Sequence, residues 1–252
     1  MKIGFFDSGL GGLTILKAVR ELLPEYDYLY FGDTANLPYG DKTEDEIYTL
    51  TSIAVKRLFD AGALIVVIAC NTASAETLRR IQETMLVGEY ANRKALGVII
   101  PTIEALVESN ARKALLIGTR RTIASQKYER ELEKISAHIF LESHATPKLV
   151  PYIESGNING ACTTLEIAIR DKVGESDTIV LGCTHYTVLK EQIRDIYKLK
   201  VISQDEIIPH KLKTYLTRHD EIESNLTRTG SIAFEFSAEA ERYSYIREHF
   251  LN

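Results

Sequence analysis

Short hydrophobic runs recur along the chain and alternate with longer stretches in which hydrophobic residues return every three or four positions. Several runs are apolar at every position rather than at alternate ones, which is typical of parallel strands covered on both faces. The pattern predicts strands at residues 2–6, 27–31, 63–69, 95–100, 113–118, 138–142 and 178–182, with a late strand at 231–236.

The stretches between these runs have helical spacing. In the first of them, five hydrophobic residues fall on one face of a helix: Ile15, Ala18, Val19, Leu22 and Leu23. Pro24 follows where that helix is expected to end. The C-terminal segment carries the same pattern at Tyr243, Ile246 and Phe250. Alternation of strands and helices along the whole chain predicts an α/β fold with right-handed crossovers.

One strand–loop–helix plan occurs twice in the sequence. Residues 65–78 and 179–189 each contain a buried strand, a cysteine at its end and hydrogen-bonding residues before a helix. The chain is therefore predicted to fold as two similar α/β halves, each an open, mostly parallel sheet, facing each other across a central cleft. Ligands of such sheets bind beyond the carboxyl ends of the strands, so Cys70 and Cys183 are expected at that cleft.

Composition narrows the class of protein. The 252 residues are 45% hydrophobic and carry a net charge of −5, which indicates a globular chain rather than a disordered one. The slight acidic excess does not favour a nucleic-acid surface. No apolar stretch is long enough for a membrane helix, and the first residues lack the pattern of a signal peptide. We therefore expect a cytoplasmic protein.

Three cysteines are too few and too odd in number for a disulfide framework. Cys162 shares a predicted helix face with Leu165 and Ile169 and is interpreted as an inert core residue. Cys70 and Cys183 each precede a predicted helix. The amides of a helix N-terminus are expected to lower the pKa of such a thiol from about 8.5 towards neutrality.

The loop after the first strand is rich in glycine, which permits close approach of the backbone to a ligand. A dinucleotide site is one alternative, because Asp33 follows the second strand at a suitable distance. However, Thr14 stands where the third glycine of that fingerprint belongs, and Asp7 would repel a pyrophosphate. An acid at this strand end suits the ammonium group of an amino acid, or orients a base.

A zinc site is a further alternative. Cys70, Cys183 and His185 could form a set of two cysteines and one histidine. The sequence contains no Cys-x-x-Cys pair, so the local pattern for zinc is weak.

Four segments together carry a specific resemblance: DSGLGGLTIL at 7–16, GDTANLPYG at 32–40, ACNTASA at 69–75 and LGCTHY at 181–186. In this order they resemble the glutamate racemases of the cofactor-independent aspartate/glutamate racemase superfamily. The resemblance implies interconversion of L- and D-glutamate, supplying D-glutamate for peptidoglycan, with no cofactor or metal. It also implies that the protein is a homodimer. Its ligand would be a small-molecule substrate, and it would bind neither nucleic acid nor membrane.

The resemblance implies a reaction with two bases. Cys70 would deprotonate D-glutamate and Cys183 would deprotonate L-glutamate, each thiol reprotonating when the other acts as base. Asp7 would assist Cys70, and His185 would assist Cys183 with further help from Glu154. The implied substrate contacts are Asp7, Ser8, Tyr39, Gly40, Asn71, Thr72, Thr119, Thr122, Thr184 and His185.

The resemblance also divides the chain into domains. Residues 1–95 with 208–252 would form the first α/β domain, the Cys70 half, and residues 96–207 the second, the Cys183 half.

The sequence departs from the family pattern in four places: Arg121 replaces a small residue, Thr187-Val188 replaces a proline, residues 202–208 lack the usual Asp-Ser pair, and Ala238 replaces a glycine. These departures leave a racemase for aspartate or another amino acid open as an alternative. A non-catalytic amino-acid-binding protein is a second alternative, but it leaves the paired cysteines unexplained.

Overall fold

Two parallel β-sheets organise the chain in the computed structural model, which describes residues 1–136 and 138–238. The strands are β1 Lys2–Asp7, β2 Tyr28–Gly32, β3 Ala63–Ile68, β4 Lys94–Gly97, β5 Lys113–Gly118, β6 Phe140–Ala145, β7 Thr178–Gly182, β8 Lys200–Ile202 and β9 Ile232–Phe236. The helices are α1 Gly12–Leu22, α2 Glu44–Asp60, α3 Asn71–Thr84, α4 Ile99–Glu108, α5 Arg120–Ala124, α6 Lys127–Ile135, α7 Leu149–Glu154, α8 Ile158–Val173, α9 Lys190–Tyr197, α10 Gln204–Arg218 and α11 Asp220–Glu223.

Four strands of sheet A follow the same order as the four strands of sheet B, and β9 is a fifth strand at the edge of sheet A. Sheet A runs β4-β3-β1-β2-β9, and sheet B, written in the matching direction, runs β8-β7-β5-β6. Every strand pair within the described residues is parallel. In each half the third strand therefore lies beside the first, as in doubly wound folds whose ligands bind where the strand order reverses. The predicted fold class, two similar parallel α/β halves, is confirmed.

Helices cover both faces of each sheet. On sheet A, residues of α1 and α10 form one core with Ile3 and Phe5, while α2 and α3 pack with Phe6 on the other face. On sheet B, α7, α8 and α9 cover one face, and α4 and α6 cover the other. This double cover is why the strand runs are apolar at every position.

Two predicted strand ranges were wrong at their ends. Residues 95–100 read as one apolar run, but β4 stops at Gly97 and α4 begins at Ile99. Ile103 and Leu106 continue that run with helical spacing, and a continuous apolar run does not by itself separate strand from helix. The strand predicted at 138–142 lies at 140–145, and β8, which has three residues, was not predicted.

The late strand at 231–236 is confirmed as β9, which adds to sheet A beside β2. Asp27 fixes the approach to it, since its Oδ1 accepts hydrogen bonds from the amide and hydroxyl of Thr229 and from the amide of Ser231. The helical pattern predicted at Tyr243, Ile246 and Phe250 lies outside the described residues.

Sheet membership bears on the predicted domain division. The strands of sheet A come from residues 2–97 and 232–236, and those of sheet B from residues 113–202. β4 thus extends two residues beyond the predicted boundary at 95, and α10, which packs beside α1, begins before 208. The division into 1–95 with 208–252 and 96–207 stays a prediction. No helix within the described ranges is long and apolar enough to span a bilayer.

Candidate active site

Strand ends from both sheets meet at one cavity. Ser8 follows β1, Cys70 follows β3, Thr119 follows β5 and Cys183 follows β7. The lining residues are Ser8, Leu37, Pro38, Tyr39, Gly40, Cys70, Asn71, Thr72, Thr119, Val150, Cys183, Thr184 and His185. The cavity volume is about 30 Å³, room for one or two water molecules. An organic ligand needs more room than this, so the lining residues must shift before one can bind.

Cys70 caps the N-terminus of α3. Its Sγ lies 3.5 Å from the amide of Ala73, which donates to it, and 3.3 Å from Ser8 Oγ. Ser8 in turn lies 3.4 Å from Asp7 Oδ1, which also accepts the amide of Gly9 at 3.0 Å. Asp7 is fully buried behind Ser8 and does not line the cavity. The carboxyl group thus reaches the Cys70 environment through Ser8.

Burial decides the protonation of Cys70. Desolvation, together with the negative charge of Asp7, raises the pKa of the Cys70 thiol to about 12. Burial likewise raises the pKa of Asp7. The expectation that the helix N-terminus would lower the pKa of this thiol was wrong, because one amide contact at 3.5 Å does not outweigh the loss of water.

Cys183 has a different neighbour. Its Sγ lies 3.9 Å from His185 Nδ1, and His185 Nε2 lies 3.3 Å from Glu154 Oε1 on α7. Burial opposes a charge on the imidazole, but Cys183 and Glu154 outweigh it and raise the pKa of His185 well above its ordinary value. A protonated His185 therefore places positive charge beside the Cys183 sulfur.

The helix predicted directly after Cys183 is also different from the one after Cys70. A 3₁₀ helix spans Thr184–Leu189, Cys183 makes no side-chain cap, and α9 begins only at Lys190. The two cysteines thus occupy equivalent strand ends in unlike local structures.

Three threonine hydroxyls join the two halves at the cavity. Thr72 Oγ1 lies 2.9 Å from Thr119 Oγ1 and 3.0 Å from Thr122 Oγ1, and the last two lie 3.0 Å apart. Each hydroxyl can donate or accept, so the cluster can turn its donors towards a carboxylate. Thr122 is buried beneath this contact and does not itself line the cavity.

Tyr39 and Gly40 belong to a loop that Asp33 holds in place. Tyr39 Oη donates to Asp33 Oδ2 at 2.7 Å, and Asn36 Nδ2 donates to both oxygens of that carboxylate. Burial is the main cause that raises the pKa of Tyr39, and the hydrogen bond and negative charge of Asp33 raise it further. The position of Asp33, which suggested a dinucleotide, is explained by this loop.

The glycines after β1 allow contact between the halves. A Cβ at Gly11 would lie 2.5 Å from Thr184 Oγ1 and 2.8 Å from the amide of His185. A Cβ at Gly12 would lie 2.8 Å from Asp7 Oδ2. The backbone of this loop was expected to approach a ligand closely. At Gly11 it instead approaches the facing half of the protein.

Most residues predicted from sequence lie at this site. Asp7, Thr122 and Glu154 stand behind the lining, the last beside His185. Leu37, Pro38 and Val150 form an apolar wall of the cavity that was not predicted, although the first two lie within the motif at 32–40. Cys162 is half-buried on α8 against the sheet B core rather than fully buried as expected.

The zinc alternative finds no support in the placement of side chains. Within residues 1–136 and 138–238, no three Cys, His, Asp or Glu side chains are grouped closely enough to hold a metal ion.

Comparison with known proteins agrees with the sequence motifs. A family model described as Asp/Glu/Hydantoin racemase matches residues 14–207. A glutamate racemase of Roseobacter denitrificans is 36% identical, covering 100% of this chain and 97% of that protein. One from Aquifex pyrophilus is 39% identical over 86% of this chain and 84% of the relative.

Solved structures agree in fold. The glutamate racemase of Francisella tularensis, determined in complex with D-glutamate, superposes with a TM-score of 0.88 at 29% identity, covering 99% of this chain and 93% of that one. The family match spans more than half of the chain, and the two relatives cover 100% and 86% of it. The chain belongs to the Asp/Glu/hydantoin racemase family.

Proposed function

We propose that this protein is a glutamate racemase that inverts the α-carbon by direct proton transfer between two cysteines. One observation carries the proposal: Cys70 and Cys183, from equivalent strand ends of the two halves, line the same cavity. A one-sided reaction needs one base, whereas inversion needs a proton acceptor on one face and a donor on the other.

The proposed reaction consists of two proton transfers and needs no covalent intermediate. A thiolate takes the proton from Cα and becomes a thiol, leaving a carbanion. The opposite thiol gives its proton to the other face of that carbon and becomes the thiolate. Exchange of protons with solvent then restores the starting state. General acid–base groups placed in this way contribute roughly 10²–10⁴-fold each to a rate.

The charges around the two thiols favour one direction of proton transfer as the first step. The Cys70 thiol, with its raised pKa, is a proton donor, while Cys183 lies beside a protonated His185. This arrangement suits removal of the proton by Cys183, which the family pattern assigns to L-glutamate, and its replacement by Cys70. Glu154 supports the cation on His185, and Asp7 acts on Cys70 through Ser8.

Hydroxyl and amide groups would hold the substrate. The proposed contacts are Ser8, Tyr39, Gly40, Asn71, Thr72, Thr119, Thr184 and His185, with Thr122 behind Thr119. Asp7 was expected to touch substrate, but its burial behind Ser8 favours an indirect role. The D-glutamate complex of the Francisella tularensis relative supports glutamate as the ligand. The proposal has four further parts. The enzyme would supply D-glutamate for peptidoglycan, lie in the cytoplasm, form a homodimer and need no cofactor.

A direct assay tests the proposed reaction. The purified chain is incubated with L-glutamate and a chelator, without added cofactor, and the enantiomers are separated by chiral chromatography. L-Aspartate at the same concentrations is the comparison. One methylene in a fitted pocket is worth roughly 10–200-fold in specificity, and we expect kcat/KM to favour glutamate by that factor. Absence of D-glutamate, or faster turnover of aspartate, contradicts the proposal.

A further inference from the structure

A side-chain amide is buried where the two halves of the protein meet. Gln204, the first residue of α10, is fully buried, and it lies in the segment 202–208 that lacks the family's usual Asp-Ser pair. A buried amide is costly unless its donors and acceptor are paired. The partners of Gln204 therefore indicate what the residue does.

The backbone fixes which way the Gln204 amide faces. Its Nε2 donates to the carbonyl oxygen of Leu181 at 2.9 Å, two residues before Cys183. A backbone carbonyl only accepts hydrogen bonds, so the nitrogen of Gln204 must lie on this side. Nε2 also lies 3.1 Å from Asn71 Oδ1, and Gln204 Oε1 faces Asn71 Nδ2 at 3.4 Å.

The orientation of Gln204 sets that of Asn71. Asn71 Oδ1 also accepts from Tyr128 Oη at 2.6 Å. Tyr128 Oη also lies 3.2 Å from Gln204 Nε2, which can donate to it. A tyrosine hydroxyl can either donate or accept, so Tyr128 by itself would tolerate both orientations of the Asn71 amide. Gln204 would not, because its nitrogen is held by the carbonyl of Leu181. Only Gln204, of these two neighbours, selects the orientation.

Asn71 follows Cys70 and lines the cavity. With Oδ1 turned towards Gln204 and Tyr128, its remaining polar atom is Nδ2, which has two N–H groups. One faces Gln204 Oε1, which leaves the other for a ligand. In this orientation Asn71 is a hydrogen-bond donor, suited to a carboxylate and unsuited to an ammonium group.

We infer that Gln204 is a positioning residue that keeps the Asn71 amide turned so that its N–H meets a substrate carboxylate. The inference rests on the proposed racemase function. It links the strand that ends at Cys183 to the residue after Cys70 through one side chain. A donor to a carboxylate that is present throughout the reaction affects KM more than kcat.

Two variants that each remove one donor to Asn71 Oδ1 test the inference. Gln204→Met removes the donor that sets direction, and Tyr128→Phe removes the donor that does not. A hydrogen bond to a charged group is worth enough to raise KM for glutamate by roughly 10–100-fold in Gln204→Met, with kcat changed much less. In Tyr128→Phe we expect KM to change by less than about 3-fold.

Thermal unfolding separates positioning from a general structural role. A structural role alone predicts that both variants lose stability and active fraction while KM stays unchanged. If Gln204→Met does not fold, Gln204→Glu keeps the volume. With at most one O–H, it cannot donate to both the carbonyl of Leu181 and Asn71 Oδ1, so the same rise in KM is expected.

An unchanged KM in the folded Gln204 variant, or an equal rise in Tyr128→Phe, would overturn the inference. The wild-type assay keeps the two failures apart. If wild-type protein does not racemise glutamate, the proposed function fails. If the wild type racemises glutamate and the Gln204 variant has the same KM as the wild type, only the positioning role fails.

Discussion

The two thiols at the cavity have opposite electrostatic surroundings. Cys70 is desolvated beside a buried carboxyl group, and its pKa is raised to about 12. Cys183 lies 3.9 Å from a histidine whose pKa is raised. The raised pKa favours a Cys70 thiol that holds its proton, as the proposed proton donor must.

Glu154 should control the pH range of the Cys183 half. In Glu154→Gln the carboxylate 3.3 Å from His185 Nε2 loses its charge, so the pKa of His185 falls. The cationic histidine is then lost at a lower pH. We expect the alkaline limb of kcat/KM for L-glutamate to move to lower pH, measured as a pH–rate profile.

An exposed glutamate of the same half provides the control. Glu166 lies on α8 away from the cavity, and Glu166→Gln should leave the profile unchanged. A Glu154→Gln profile that coincides with that of the wild type would show that Glu154 does not act on His185.

The motifs predicted which side chains gather at the cavity, because strand ends in a parallel sheet share one edge. They could not predict the pKa of Cys70, which depends on burial by both halves. Nor could they predict Gln204, whose partners come from Asn71, Tyr128 and Leu181, far apart in sequence.

Helix α3 carries a contact between the two halves. It begins after Cys70, and further along it Glu76 pairs with Arg121 on α5 of the other half. Two hydrogen bonds join them, from Arg121 Nε at 2.8 Å and from a terminal nitrogen at 3.0 Å. The pair gives Arg121, which departs from the pattern expected from the resemblance, a partner on the facing half.

Removing Arg121 should destabilise the protein. Arg121→Ala leaves Glu76, whose side chain is 6% exposed, without its two charge-assisted hydrogen bonds. We expect a loss of about 1–3 kcal/mol in the free energy of unfolding, measured by denaturant titration.

Arg79→Ala is the matched control, since its pair with Glu83 lies on the same helix and is exposed on both sides. That variant should show no measurable change. Equal losses in the two variants would mean that the Arg121 pair stabilises the protein no more than an exposed ion pair does.

At the element scale, hydrophobic runs predicted most strands because sheets buried on both faces need continuous apolar residues. The same property explains the error at 95–100, where an apolar helix follows β4 directly. β8 was not predicted because three residues are too few to show a periodic pattern of hydrophobic positions.

In residues 1–136 and 138–238, two sheets that share the order of four strands meet at their carboxyl edges. The repeated cysteine segments predicted this arrangement, since each half supplies one thiol to a shared site. The cavity between them holds only about 30 Å³, so a ligand of amino-acid size needs its lining residues to shift. Sequence could not predict so small a cavity, because Gly11 and the threonine cluster pack across the cleft against residues far away in the chain.

Racemisation of L-glutamate in D₂O, without added cofactor, tests the two-cysteine proposal most directly. Wild type is compared with Cys70→Ser and Cys183→Ser, and Cys162→Ser on α8 is the control, since that thiol lies away from the cavity. We predict deuterium at Cα of the D-glutamate formed, at least about 10³-fold loss in both cavity variants and little change in the control. Full activity in either cavity variant, or product that keeps its original hydrogen at Cα, would contradict the account.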